Sequence, residues 1–356
     1  MIKINTNVKG DLTKGKHCFI CKDKRVLNAL KRKLGRENQD ICLKIFYDQD
    51  KKGNWGDDPK DGTKKNTTIK EATQIQNICW YHGLAPRVYQ ILKVQWQGKV
   101  CDAQVTDFVE IKDHDTIKEA GEVYENIESL GKEYGWVSNF REWKSRDSVN
   151  GKFLDFQTFN LAEDYKEKIT EKYREFGTYG KKYYHNISEL GLTTGPREND
   201  NRIKWLGLDK LDFKEKEVLD LGCAGGFFDR YIDSKEGLVI GLDNKGKGSK
   251  DPTLSTFLVN NYLEKFNIDV YDIDLSNGEE LEDIGADIIL LLSMTFHIGV
   301  PDYLPRLLNP GGLLIVEDNS KERDALAKLT KLFSKVEYKG KTTDRDSELP
   351  IYYCYK

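Results

Sequence analysis

The apolar positions of this 356-residue chain follow two different rhythms. From residue 217 onward, short apolar runs alternate with longer amphipathic stretches. Glu217 to Leu221 reads as a buried strand, Gly222-Cys223-Ala224-Gly225-Gly226 as a glycine loop, and Phe227 to Ile232 as the opening of a helix. Leu238 to Leu242 gives a second strand ending at Asp243, and Ile268 to Tyr271 a third ending near Asp272. Ala286 to Leu292 and Gly311 to Val316 are continuous apolar runs, as strands buried on both faces require. Arg323 to Phe333 has helical spacing, and Ser334 to Lys339 and Ile351 to Tyr355 read as closing strands joined by a charged loop. Strand and helix alternate, which predicts an α/β fold with a doubly wound parallel sheet.

The first 160 residues lack that alternation. Short strand signals (His17 to Cys21, Ile41 to Phe46, Val88 to Val94, Val100 to Phe108) surround one helix from Ile69 to His82, behind a Gly/Asp/Lys-rich loop at 48–66. This is an α+β pattern. A polar helical stretch, Glu163 to Phe176, leads into the sheet half. The expected division is an α+β domain at 1–160, a helical linker and lid at 161–205, and the α/β domain at 206–356.

Composition narrows the class. With 32% charged residues and a mean hydropathy of -0.64, no stretch approaches the roughly 18 consecutive apolar residues of a membrane helix. Met1-Ile2-Lys3-Ile4-Asn5 carries no apolar signal core, so a cytoplasmic protein is expected. Seven scattered cysteines suit a reducing compartment. Cys18 and Cys21 are three apart, but no second pair follows at zinc spacing, so a strand with alternating thiols is expected and no metal. The net charge of -3 hides an asymmetry: residues 1–70 hold 18 basic and nine acidic side chains. Such a segment suits an anionic partner such as phosphate, a phosphoglycan or nucleic acid. Its lysines have no interleaved aromatics to stack bases, which favours a solvated surface.

A glycine loop between strand and helix sets backbone N–H groups and a helix N-terminus beside any ligand at the strand ends. Here acidic residues also end successive strands. Asp220 precedes the loop, Asp243 is placed to accept both ribose hydroxyls of a nucleoside, and Asp272 ends the third strand, where adenine would lie. Val218 to Gly226 resembles the first motif of class I S-adenosylmethionine-dependent methyltransferases, Asp287 to Ser293 their fourth strand, and Leu308-Asn309-Pro310-Gly311-Gly312 the turn before their fifth. The resemblance covers about residues 180–356. It implies S-adenosylmethionine as cofactor, held by Asp220, Gly222, Cys223, Ala224, Gly225, Asp243 and Asp272. A dehydrogenase is the competing reading, disfavoured because the loop is Gly-x-x-Gly-Gly rather than Gly-x-Gly-x-x-Gly. Upstream, Tyr184-His185-Asn186-Ile187, Gly195-Pro196-Arg197 and Arg202 resemble the lead-in of one subgroup, a segment that closes over the cofactor. Arg197 is there a fork-shaped donor for the cofactor's carboxylate.

Methyl transfer from a sulfonium needs alignment and, for a hydroxyl acceptor, a base. His297, after the fourth strand, is the candidate base, with Glu317 and Asp318 weaker candidates on the same rim.

The first domain is similar to protein-kinase-like phosphotransferases over about residues 12–160. Lys44 on a strand and Glu71 on a helix would form an ion pair, Val105 to Glu110 resembles a strand entering a hinge, and Lys152 to Gln157, with Asp155, a metal-binding strand end. It departs from the pattern in having Lys22-Asp23-Lys24-Arg25 where a glycine-rich loop belongs, and no carboxylate near Asn139 for the substrate proton. The expectation is a degenerate kinase-like module that binds a partner or substrate. Kinase-like modules joined to such methyltransferases resemble enzymes that modify surface polysaccharides. The expected activity is therefore O-methylation of a glycan or other hydroxyl-bearing acceptor. The alternatives are a bifunctional kinase–methyltransferase and an RNA methyltransferase with a basic N-terminal domain.

Overall fold

A computed structural model divides the chain into two compact units, Met1–Ile169 and Thr170–Lys356. The structure describes residues 2–3, 12–14, 18–21, 24–46, 68–96, 99–110, 113–138, 148–154, 156, 159–176, 178–179, 182–183, 185–193, 199–244, 251–281, 284–320, 325–343 and 348–356. Arg197, Asp155, Tyr184, Gly195, Pro196, Lys22, Asp23, Asn139, Gln157 and the loop at 48–66 lie outside these residues.

The N-terminal unit contains β1 (Ile2–Lys3), β2 (Leu12–Lys14), β3 (Cys18–Cys21), α1 (Lys24–Lys33), β4 (Ile41–Phe46), α2 (Ile69–Tyr81), β5 (Val88–Trp96) and β6 (Lys99–Asp107). The strands form one sheet in the order β1-β5-β6-β4-β3-β2, antiparallel except where β1 runs along β5. Then come α3 (Ile117–Tyr134), β7 (Trp136–Ser138), the β8 (Ser148–Val149) and β9 (Lys152–Phe153) hairpin, and β10 (Phe159–Leu161), which pairs with β7. The single helix expected here is therefore joined by two others, α1 and α3. A polar sequence concealed α3. Its buried Ala120, Val123, Tyr124, Ile127, Gly131 and Tyr134 form one stripe at helical spacing. Thr116 and Glu119 close a capping box at its start, and Gly135, at φ 92°, ends it in the left-handed region.

α2 is buried almost throughout, although it carries Thr73, Gln76 and Asn77. Those amides have partners. The Asn77 side chain donates to the Val88 carbonyl (3.0 Å) and accepts from the Val88 N–H (2.8 Å), at a point where the β5–β6 register shifts. Gln76 donates to the Pro86 carbonyl at 2.9 Å. Polar residues on a buried helix face thus satisfy the irregular start of β5.

α4 (Tyr165–Phe176) spans the division between the units, and the short pair β11 (Thr178–Tyr179) and β12 (Lys182–Tyr183) follows. The C-terminal unit then contains α5 (Asn199–Trp205), β13 (Glu217–Leu221), α6 (Phe227–Ser234), β14 (Leu238–Asp243), α7 (Pro252–Tyr262), β15 (Asp269–Asp272), β16 (Ala286–Leu292), α8 (Thr295–Ile298), α9 (Leu304–Leu307), β17 (Leu308–Glu317), α10 (Ala325–Leu332), β18 (Lys335–Thr342) and β19 (Leu349–Tyr355). The sheet order is β15-β14-β13-β16-β17-β19-β18, with β19 antiparallel to both neighbours and β13 to β17 mutually parallel. This is the doubly wound sheet that the strand–helix alternation predicts. Side chains alternate between its faces: Leu219, Leu221, Ile289 and Leu291 pack on one, with Leu304, Leu307 and Leu329, while Val218, Ile288, Leu290 and Leu292 pack on the other, with Phe228 and Ile232. Each such burial is worth roughly 1.5–3 kcal/mol. The order reverses between β13 and β16, so the chain leaves the C-terminal ends of these two neighbours in opposite directions, the place where ligands bind in open α/β sheets.

Candidate functional site at the strand ends

The glycine loop folds back onto β14. Gly222 and Cys223 both donate their N–H groups to the Leu242 carbonyl, at 2.8 and 3.1 Å, and Gly226 donates to the Cys223 carbonyl at 2.8 Å. Ala224 donates to Asp243 Oδ2 at 2.8 Å, and Asn244 donates to Asp243 Oδ1 at 2.8 Å. The expectation that loop N–H groups face a ligand is thus corrected: these are consumed within the protein. The carbonyls are held too, Ala224's by the Thr256 hydroxyl and Gly225's by Arg230 Nη1 at 2.8 Å. Gly222, at φ 89°, has Met294 against it, with the sulfur 2.3 Å from where a Cβ would stand. A φ of 89° favours glycine whatever the neighbour.

Asp243 is 5% exposed, at the tip of β14, and its register partner on β15 is the exposed Asp272. Burial pushes its carboxyl up to about 6, opposed by the Asn244 and Ala224 N–H bonds and assisted by repulsion from Asp272. It is therefore ionised at neutral pH. Two of a carboxylate's roughly four lone-pair sites are taken, which leaves capacity for two hydroxyl donors. Asp220 lies buried within β13, pushed by desolvation to about 7. Cys223 is buried with its thiol against Gly241, and burial raises it well above the usual range. Gly225 faces the Tyr173 hydroxyl, 2.6 Å from its missing Cβ.

The strand-end rim is fixed by an ion pair that sequence reasoning missed. Arg202 on α5 donates Nε to Glu317 Oε1 (3.2 Å) and Nη2 to Oε2 (2.5 Å), with both side chains at most 1% exposed. Ser293 donates its hydroxyl to the same carboxylate, and the Arg202 guanidinium lies 5.0 Å from the Phe228 ring centre. Glu317 is therefore committed and does not serve as the base considered for it. His185, from the lead-in segment, is also interior, bonded through Nδ1 to Asn199 Oδ1 at 2.9 Å and stacked on Phe227. The signal for these roles lay in the chain: an arginine on the short helix before β13, and an acid closing an otherwise apolar strand.

His297 sits on α8, directly after β16, and is exposed beside Phe296, which is 55% exposed. α8 is anchored by Asn319, which donates to the Ser293 carbonyl (2.7 Å) and accepts from the Phe296 N–H (2.8 Å), and by Asp318, which accepts from Thr295 (2.6 Å). Asp318 is thus engaged in holding α8. Among the described residues no His/Cys/Asp/Glu group could hold a metal, and no helix is long and apolar enough to cross a membrane.

In the N-terminal unit the expected Lys44–Glu71 pair is replaced by other partners. Glu71 accepts from the Thr68 N–H at 2.7 Å as part of a capping box, and Lys44 Nζ donates to the Leu154 carbonyl at 3.3 Å.

No protein-family model matches the chain, and no curated protein matches it. Among solved structures, one of WbdD aligns over 53% of this chain and 46% of its own, at 19% identity and a TM-score of 0.41. Another, of the bifunctional kinase-methyltransferase WbdD, aligns at 18% identity and 0.39 over 53% of this chain and 45% of its own. The match thus spans less than half of WbdD. The precorrin-6y C5,15-methyltransferase of Geobacter metallireducens GS-15 aligns at 14% identity and 0.35, over 49% of this chain and 95% of its own. These scores are low, and the fold stands on the strand order itself.

Proposed function

We propose that the C-terminal unit binds S-adenosylmethionine and methylates a hydroxyl acceptor, which we place on a glycan. The carrying observation is Asp243: an ionised, backbone-pinned carboxylate at the second strand's tip, one strand from the point where the strand order reverses and against the glycine loop. The residues fit the cofactor, because Asp243 has acceptor capacity for the ribose hydroxyls and the loop leaves no N–H cluster for a pyrophosphate. The sulfonium, when bound, supplies a methyl carbon already activated for attack. The chain's own task is then positioning. Asp220, Gly222, Cys223, Ala224 and Gly225 shape the cofactor side, Asp272 borders the adenine, and Arg197 takes the carboxylate. His297 would receive the acceptor's proton, with exposed Phe296 beside it as a flat apolar face for a sugar ring.

The N-terminal unit is proposed as a kinase-like module that presents the acceptor. Its meander of β2, β3 and β4, continued by β6 and β5 with α2 between, and the reach of Lys44 to the residue before Asp155 support that reading. Magnesium-dependent ATP turnover is not expected, because the sequence offers no carboxylate near Asn139 to take the nucleophile's proton. Measured turnover, lost in Asp155→Ala, would make the enzyme bifunctional.

Binding of labelled S-adenosylmethionine tests the core of the proposal. Asp243→Ala should weaken it at least about tenfold, since two bonds to a charged acceptor are lost. An unchanged dissociation constant refutes the ribose assignment. His297→Ala should lower turnover roughly 10²–10⁴-fold with cofactor binding intact. A panel of glycans, RNAs and small alcohols identifies the acceptor, and methylation of RNA alone would displace the glycan.

A further inference from the structure

Asp229, in the first turn of α6, has no part in the proposed reaction and is 0% exposed. Neither of its oxygens meets a donor, and neither does the buried Asp220 Oδ2. Asp220 is the register partner of Gly241 on the neighbouring strand, and Asp229 Oδ2 lies against that same Gly241, so the two carboxyl groups are neighbours beneath the glycine loop. A first-turn carboxylate ordinarily captures the N-cap N–H. Here the Gly226 N–H donates to the Cys223 carbonyl instead, and Asp229 Oδ2 lies against Gly241, 2.5 Å from where a Cβ would stand. A buried carboxylate without donors carries a heavy desolvation penalty. A carboxylic acid needs only one acceptor for its proton, and Asp220 offers one.

We propose that Asp229 is a positioning residue that stays protonated and donates its O–H to Asp220, so that the pair never carries more than one negative charge beneath the glycine loop. Its bearing on cofactor binding rests on the methyl-transfer reading, whereas the pair itself is a property of the fold. The ionisable groups around it are Asp220 from β13, Asp243 from β14, Arg230 from α6 itself and Cys223 from the loop, with Arg202 of α5 acting on Asp220 and Asp272 acting through Asp243. Burial, then Asp220 and Asp243, hold Asp229 far above the usual carboxylate range, against the pull of Arg230. Both members titrate higher folded than unfolded. Their contribution is therefore fully present below the unfolded carboxylate range, at about pH 4, and is lost as pH rises through about 7 and beyond.

The test uses the full chain, melted between pH 5 and 9 and titrated with S-adenosylhomocysteine, alongside Asp229→Asn and Asp229→Ala. The Asn amide keeps the donor to Asp220 and cannot ionise. Asp229→Asn should melt within a few degrees of wild type at pH 5 and above it at pH 9, with a dissociation constant at pH 7 within about threefold of wild type. Asp229→Ala should melt below both and bind about tenfold more weakly or worse. If it does not fold, Asp229→Asn decides alone. An Asn variant that melts as low as the Ala variant, or keeps the wild-type pH slope, overturns the pair. Wild-type protein that fails to bind S-adenosylhomocysteine while the Asn curve still rises above it at high pH overturns the cofactor reading and leaves the pair standing.

Discussion

In the N-terminal unit the interior polar side chains of α2 are neutral and matched: Asn77 to both backbone groups of Val88, Gln76 to Pro86, and Thr73 to Gln104 and Ile69. In the C-terminal unit the interior polar side chains at the strand ends are charged: Asp220, Asp229, Asp243, Arg202 and Glu317, all at most 5% exposed. Neutral pairs satisfy backbone irregularity at little risk. Buried charges carry large desolvation penalties and seldom improve on an apolar replacement in stability, so a cluster of them points to chemistry. By that measure the candidate site is the edge of β13, β14 and β17. The N-terminal sheet reads as a scaffold.

The largest effect should come from splitting the Arg202–Glu317 pair. Arg202→Ala leaves Glu317 buried without its counter-charge, with an expected loss of about 3–5 kcal/mol in denaturant melts. Removing both, as Arg202→Met with Glu317→Leu, should recover most of it. A single-variant loss below about 1 kcal/mol would mean that water reaches the pair and would weaken the contrast. The matching change in the other unit is Asn77→Ala, which strands the N–H and carbonyl of Val88. An expected loss of about 2 kcal/mol follows from two unmade neutral bonds. If Asn77→Ala proves as damaging as Arg202→Ala, charge is not what distinguishes the two interiors.

The sheet of the C-terminal unit was legible because parallel strands buried on both faces are written as apolar runs. Glu217–Leu221 and Ala286–Leu292 are found where the runs predict, and Asp243 ends its strand as expected. What the runs do not encode is direction. The sequence shows that Gly222 to Gly226 can turn tightly, but not that its N–H groups point at Leu242 and Asp243. Arg202 and Glu317 are 115 residues apart, so their pairing exists only after the sheet forms. α1 and α3 escaped notice for another reason: their apolar stripes are narrow and interrupted by lysines and glutamates. The Thr116-x-x-Glu119 box before α3 was the one local cue.

The smallest effect, and the sharpest for the N-terminal unit, concerns Glu71. In a kinase-like lobe this helix acid would pair with Lys44, and its loss would be felt through the lysine. Here Glu71 accepts from the Thr68 N–H while Thr68 accepts from the Glu71 N–H at 3.2 Å, and Lys44 reaches Leu154. Thr68→Ala should therefore cost about 1 kcal/mol, as N-cap losses do. Glu71→Gln should change stability by less than about 0.5 kcal/mol, because glutamine completes a capping box as well as glutamate. A double-mutant cycle of Lys44→Met with Glu71→Gln should show coupling below about 0.5 kcal/mol. Coupling above about 1 kcal/mol would mean that Lys44 and Glu71 do pair in solution, and a kinase-like ion pair would then link β4 to α2.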